Sequence, residues 1–183
     1  MQSIITSFGS VRPWRDSDAP ALARYANNRK IWLNLRDGFP HPYGIENAHA
    51  YLAMVARQDP ITFATIATPE ESIGAIGISI GKDVHRLTAE MGYWLAEPYW
   101  GRGITTEAVA AFTESMFSRF GLIRIHAEPY AWNAASCRVL EKAGFVLEGR
   151  LRGNAIKDGR IVDSLMYARV RMPAHSGGPP SAP

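Results

Sequence analysis

Cysteine is almost missing from this chain: Cys137 is its one representative in 183 residues. That excludes an intrachain disulfide and any zinc site assembled from several thiolates. Charge of one sign is scarce as well. Twenty basic residues against seventeen acidic ones leave a formal +3. No basic block or recognition-helix motif occurs, so no nucleic-acid partner is expected. An excess this small still suits a compact polyanionic ligand. Apolar runs stay short of the roughly 18 residues that a spanning helix needs, and the opening "MQSIITSFGS" lacks the charged-then-apolar pattern of a signal peptide. The expectation is no membrane partner and a cytoplasmic location. The five histidines, His41, His49, His85, His126 and His175, show no metal-ligand spacing, so no metal is expected either.

What is present is an ordinary globular composition, 46% apolar and 20% charged, over a length that suits one domain with a sizeable core. That domain is placed at residues 1–172. Residues 173–183, "PAHSGGPPSAP", are too rich in Pro, Gly and Ser for a packed element and are expected to form a disordered tail. Along the domain, "SIITSFGSVRPW" reads as a first strand interrupted at Gly9. "DSDAPALARYANN" and "IENAHAYLAMVARQ" read as helices, the second with Ala48, Leu52, Val55 and Ala56 at helical spacing. Between them "IWLNLRDGFPHPYG" is irregular enough to be a loop. Three short strands follow, "ITFATIA", "IGAIGISIG" and "LTAEMGYWLA". A long helix then carries Ala108, Phe112, Met116 and Phe120 on one stripe. "LIRIHAEPYA" is a fifth strand, and "NAASCRVLEKAG" a compact helix with Asn133 as N-cap and Gly144 at its C′ position. "FVLEGRLRGNAIKDGRIVDSLMYARVR" is a closing hairpin turned at Asp158-Gly159. This order describes a mixed sheet with helices on its faces, an α/β (α+β) layer architecture.

The stretch "EPYWGRGITTEAVAAF", Glu97 to Phe112, sets a Gly-Arg-Gly turn between a strand and a helix. The first amides of a helix have no internal partner, and its dipole puts partial positive charge there. Glycines let the backbone approach an anion closely. No carboxylate lies between Trp100 and Thr106, Arg102 adds a full charge, and Ala108 stands where a capping box would need an acid. The turn reads either as a plain strand-end turn or as an anion cradle. It lacks the lysine of a P-loop, and Thr106 replaces the third glycine of a dinucleotide fingerprint.

Two segments in order, "AEMGYWLAEPYWGRGITTEAV" and "AWNAASCRVLEKAGFVLEGRLR", carry a family likeness. They resemble the GNAT family of N-acetyltransferases, over residues 8–171, and within it the Rim-type branch of ribosomal-protein N-terminal acetyltransferases. The resemblance implies a mixed, mostly antiparallel central sheet of about seven strands flanked by about four helices. Its fourth and fifth strands, here Leu87–Ala96 and Leu122–Tyr130, would splay apart, with Pro98 compatible with pairing stopping there. Acetyl-CoA is the implied co-substrate, bound in that gap with no metal. Backbone groups of Trp94, Leu95 and Ala96 would pair with its pantetheine amides. Its pyrophosphate would sit on the amides of Gly101, Arg102, Gly103, Ile104, Thr105 and Thr106. The chain departs from the family loop with Trp100 at the first place and Thr105 at the last, where a Gly or Ala is usual.

Acetyl transfer needs an unprotonated amine, a stabilised oxyanion and a proton for the leaving thiolate. A backbone N–H near Leu95 is the expected oxyanion donor. Glu90 shares a strand face with Gly92 and Trp94. In an apolar strand its carboxylate would have a raised pKa and act as general base, or it simply bonds a neighbouring arginine. Ala155 stands where some Rim-type relatives carry an acid. Ser136, three residues after Asn133, is the candidate proton donor to sulfur, with Tyr99 in reserve. Asn133 orients cofactor and helix start. Arg138 and Lys142, four apart, face the cofactor's 3′-phosphate or only solvent. Cys137 reads as a small buried residue rather than a nucleophile. Trp32, Phe39, His41 and Tyr43 are the candidate acceptor-pocket residues. The implied activity is direct attack of a primary amine, a protein N-terminus or a small molecule, on the bound thioester; the alternative is a non-catalytic acyl-CoA-binding or sensory domain. A homodimer is compatible with exposed strand edges.

Overall fold

The computed structural model describes residues 3–59 and 62–171. The expected tail, 173–183, lies outside the described residues.

The expected first strand is two strands. β1 (Ile4–Thr6) folds back onto β2 (Gly9–Pro13) as an antiparallel pair. Gly9 sits at φ +147°, where a Cβ would meet the Ala67 carbonyl oxygen at 2.3 Å. Only glycine lets β2 lie that close to β3 (Phe63–Ala67). α1 (Ala19–Ala26) follows, docked by a buried ion pair: Arg12 of β2 donates to both oxygens of Asp18 at 2.8 Å. A second correction falls in the segment read as loop. Its first two residues end a short helix, α2 (Arg29–Trp32), capped by Asn28, whose Oδ1 accepts from the amides of Lys30 and Ile31. α3 (Ile45–Val55) buries Ala48, Leu52 and Val55 against Leu22 and Ala26 of α1.

The sheet continues through β4 (Ser72–Ile80) and β5 (Thr88–Leu95), followed by α4 (Ile104–Phe120), β6 (Arg124–Ala127), α5 (Ala134–Lys142), β7 (Val146–Lys157) and β8 (Arg160–Val170). Among the described residues its order is β1-β2-β3-β4-β5-β6-β8-β7, eight strands and five helices in place of the expected seven and four. The mostly antiparallel class is as expected, with β5 and β6 the one parallel pair among the described residues. The hairpin turns at Asp158 (φ +50°) and Gly159 (φ +74°), the two left-handed residues of a tight hairpin turn. Its returning strand slots between β6 and β7. One face of the sheet packs on α4, whose Ala108, Val109, Phe112 and Met116 are wholly buried against Ala89, Met91 and Leu95 of β5. The other face carries α1 and α3.

One feature of this sheet makes a site. β5 and β6 pair over only three rungs, Thr88 with Arg124, Ala89 with Ile125 and Glu90 with His126. Beyond Glu90 they part, while β5 runs on to Leu95. The fifth strand expected over Leu122–Tyr130 is therefore short, and Tyr130 instead bridges to Ser164 of β8.

Candidate active site

A cleft of about 870 Å³ opens where β5 and β6 separate. Three elements meet there: the exposed backbone of β5, the turn into α4 and the start of α5.

The turn is built by its glycines. Gly101 (φ +76°) and Gly103 (φ +79°) both sit in the left-handed region, with Arg102 at negative φ between them. A Cβ on either glycine would meet no atom within 4 Å, so the backbone there is bare. The amides of Gly101 through Thr106 have neither a capping side chain nor a backbone acceptor among the described residues. The first bond of α4 runs from the Glu107 amide to the Gly103 carbonyl at 3.1 Å. Glu107, the acid of that first turn, is drawn off by Ser7, whose amide donates to it at 2.6 Å and hydroxyl at 2.5 Å. Alternating left-handed residues at a helix N-terminus aim several N–H groups at one point, an anion site without any side chain. Gly101 and Thr105 line the cleft itself, whereas Ile104 is buried in the core.

On β5 the Ala96 amide donates to the Ile73 carbonyl at 2.8 Å. The alternation of an antiparallel ladder then turns Trp94 and Ala96 toward β4, and Tyr93 and Leu95 toward the gap. The Leu95 carbonyl is taken as well, by the Trp100 indole N–H at 2.7 Å. Of the three residues expected to offer backbone groups, Leu95 alone keeps one facing the cleft, its N–H. Trp100, at the departure from the family loop, fixes the strand end to the turn.

Asn133 caps α5 by accepting the Ser136 amide at 3.1 Å. Ser136 Oγ then lies 2.8 Å from the hydroxyl of Tyr93, which also donates to the Ser136 carbonyl at 3.3 Å. Burial drives the Tyr93 pKa well above the ordinary tyrosine range, so the phenol keeps its proton. Tyr93 carried no functional signal in the sequence because its partner lies 43 residues away. Cys137, next in α5, is buried, and burial pushes its thiol pKa up. That setting disfavours a thiolate nucleophile.

Glu90 lines the cleft, and of its two expected settings the structure has the bond to an arginine rather than the apolar one: Oε1 accepts from Arg36 of the segment between α2 and α3. Oε2 has no partner among the described residues. Beside it, across the last parallel rung, is His126, whose Nδ1 is buried without a partner among the described residues. Burial holds its pKa below the ordinary histidine value, the pull of Glu90 acting the other way. The unfolded chain therefore takes up this proton first as pH falls, and stability follows. The contribution is fully present above about pH 6.5 and lost on acidification below it. In melting series between about pH 7.5 and 5, His126→Gln is expected to lose less melting temperature than the wild type. Parallel curves for the two proteins would contradict this.

Of the acceptor-side candidates, Phe39 and Tyr43 line the cleft, with their rings 4.9 Å apart, and Phe39 sits edge-on to Trp94. Trp32 and His41 stack on each other at 5.7 Å, outside the cleft lining. Arg138 and Lys142 are exposed on α5, also outside the lining. With Arg102, they carry no ion pair among the described residues; Arg102 lies 5.5 Å over the Tyr99 ring. Among the described residues no cluster of metal-ligating side chains occurs, and no helix is long and apolar enough to cross a membrane.

This geometry has counterparts. The chain is 36% identical over 102 residues to YoaA of Bacillus subtilis (strain 168), named as an N-acetyltransferase, covering 56% of this chain and 57% of that one. It is 32% identical over 101 residues to the ribosomal-protein-serine acetyltransferase of Escherichia coli (strain K12), covering 55% and 56%. The chain thus spans a little over half the length of these curated relatives. Its fold superposes with TM-score 0.82 on RimL, a ribosomal L7/L12 alpha-N-protein acetyltransferase solved with coenzyme A, at 22% identity over 92% of this chain and 98% of that one. Residues 10–146, from the second strand to the start of the closing hairpin, match the acetyltransferase (GNAT) domain. With the parted strands, the double-glycine turn and the Asn133-capped helix all inside or bordering that span, the chain belongs to the GNAT acetyltransferase family.

Proposed function

We propose that this protein is an acetyl-CoA-dependent N-acetyltransferase working by direct attack of a primary amine, a protein N-terminus or a small molecule, on the bound thioester. The observation that carries the reading is the row of acceptor-free amides at Gly101–Thr106 opening beside the gap between β5 and β6. A diphosphate fits such a cradle without side-chain help, and the cations Arg102, Arg138 and Lys142, without an ion pair among the described residues, suit further phosphate charge around it. Along the gap the Leu95 N–H is the donor placed for the oxyanion. Glu90, through its free Oε2, takes the proton of the amine directly or through one water. Ser136, with Tyr93 behind it, supplies the proton to the departing sulfur. The acceptor enters past Phe39 and Tyr43. Support for a ribosomal-protein N-terminus among the candidate acceptors comes from the names of the relatives above.

The reading is tested by thiol release from acetyl-CoA across N-terminal peptides, amino acids and polyamines, with the acetylated product identified by mass. Turnover with at least one amine is expected. Calorimetric binding of coenzyme A with no turnover on any amine would instead identify an acyl-CoA-binding domain without chemistry. Absence of binding would remove the anion cradle itself.

The proton pathway to sulfur makes a separate prediction. Tyr93→Phe is expected to lower kcat about tenfold, less than a lost general acid usually costs, because Ser136 retains a hydroxyl. Adding Ser136→Ala should deepen the loss, while coenzyme A affinity is little changed. Wild-type kcat in both variants would take the pair out of the mechanism.

A further inference from the structure

We propose that Lys157, which lies outside the cleft, is a positioning residue that sets acceptor affinity by holding the acceptor wall through Asp37 and Arg36. The inference rests on the transferase reading above. Lys157 ends β7, and its side chain is wholly buried. Its Nζ donates to Asp37 Oδ1 at 2.7 Å and lies 3.7 Å from the centre of the Trp32 ring. A lysine beside a hairpin turn is ordinarily solvated, and an ammonium withdrawn from water is costly unless held by a partner. The pairing is lopsided: the Asp37 side chain is 73% exposed. The buried partner is therefore the one the structure has placed, and the carboxylate comes to it.

What Asp37 brings with it is the site. The preceding residue, Arg36, is the one that pairs with Glu90 on β5. Two consecutive residues thus tie the segment between α2 and α3 to opposite sides of the cleft, one to β5 and one to the far end of β7. Arg36, Gly38, Phe39 and Tyr43 of that segment line the cleft. Without Lys157, Asp37 has no ion-pair partner among the described residues, and the stretch around residues 36–38 is no longer braced across the cleft, though Tyr43 beyond it stays held by its amide on Asn27 and its ring in the core. The acceptor then binds a wall it must first order, which raises its KM. The amide cradle at Gly101–Thr106 lies on another element and is untouched.

The lopsided burial also selects the variant. Lys157→Met leaves an exposed carboxylate that water can solvate, and no buried charge behind. Asp37→Ala strands a buried ammonium and is expected to lower the melting temperature on the order of 10 °C. Kinetics with the best amine of the panel are expected to show Lys157→Met raising acceptor KM about tenfold, with kcat much less affected and coenzyme A affinity by calorimetry unchanged. Arg36→Gln should raise KM similarly, and the double variant no further, since both act on one wall. Asp37→Glu, which keeps a carboxylate in reach of Lys157, should stay near the wild-type KM. Hydrogen exchange should quicken in residues 33–44 of Lys157→Met and stay unchanged in residues 101–106. An unchanged KM, effects that multiply in the double variant, or an equal loss of coenzyme A affinity would overturn the proposal while leaving the transferase reading intact. If the wild type acetylates no amine, the transferase reading falls and the acceptor role of Lys157 with it; the exchange comparison then decides only whether Lys157 holds the wall.

Discussion

Gly103→Val is expected to weaken coenzyme A binding roughly a hundredfold or more, read as a calorimetric Kd. Gly103 stands at φ +79°, a conformation that a β-branched residue adopts only under strain. The new Cβ would meet no atom within 4 Å beyond its chain neighbours, so the loss does not start from that Cβ striking the fold. It comes from the backbone. To relieve valine, the turn must swing toward negative φ, and the amides that follow lose their common aim. Two charge-assisted hydrogen bonds to a diphosphate, at about 1.5–3 kcal/mol each, account for a change of that size. The other end of the same helix supplies the control. Gly121 is also left-handed, at φ +61°, with no atom within 4 Å of its would-be Cβ. Gly121→Val carries comparable strain on α4 and is expected to lower stability while leaving Kd where it was. Coenzyme A binding by Gly103→Val within about threefold of wild type would remove the cradle. Equal losses in the two variants would reduce it to a matter of helix stability.

The features legible in the sequence were those decided locally. Asn133 and Gly144 bracket α5 because a side-chain oxygen on the third amide and a left-handed residue past the end are rules of a few residues. Asp158-Gly159 turns its hairpin for the same reason. The double-glycine turn was visible too, since no acid and no capping side chain competes for its amides. The misses fall where the deciding partner is remote in the chain. One apparent strand is two because Ser7 and Phe8 turn the chain back on itself, and Gly9 opens the second because the Ala67 carbonyl, from another strand, occupies the space a Cβ would take. The end of β6 depends on Tyr130 finding Ser164.

At the site, the same division holds. Alternation put Glu90, Gly92 and Trp94 on one strand face, but backbone direction depends on which neighbour takes which edge. Once β4 takes the amide of Ala96, only Tyr93 and Leu95 can address the gap. Aromatic character alone grouped Trp32 and His41 with Phe39 and Tyr43, yet the first two spend their faces on each other and on the Lys157 ammonium. Lys157 gave no signal: a lysine next to Asp-Gly looks like a solvated turn residue, and its burial is a consequence of the segment from α2 to α3 lying over it.

Glu90→Gln is expected to lower kcat/KM about 100- to 1,000-fold near neutral pH, the usual reach of a general base. Glutamine keeps the shape and can still meet Arg36, so the wall is preserved while the proton acceptor is removed. The decisive readout is how the deficit changes with pH. A peptide α-amine ordinarily titrates near pH 8, so by about pH 9.5 most of it is already neutral and needs no base. The deficit of Glu90→Gln should therefore shrink steeply over that range with an N-terminal peptide. With a lysine-like amine, which ordinarily titrates near 10.4, the deficit should persist to higher pH. Damage to packing or to acceptor binding would follow neither the pH nor the basicity of the amine. Arg36→Gln separates the two roles of the ion pair: it should raise KM yet leave the pH dependence of the deficit in Glu90→Gln unaltered when the two are combined. Full neutral-pH activity in Glu90→Gln, or a loss indifferent to pH, would return Glu90 to the structural role its bond to Arg36 already gives it and leave deprotonation of the amine to solvent.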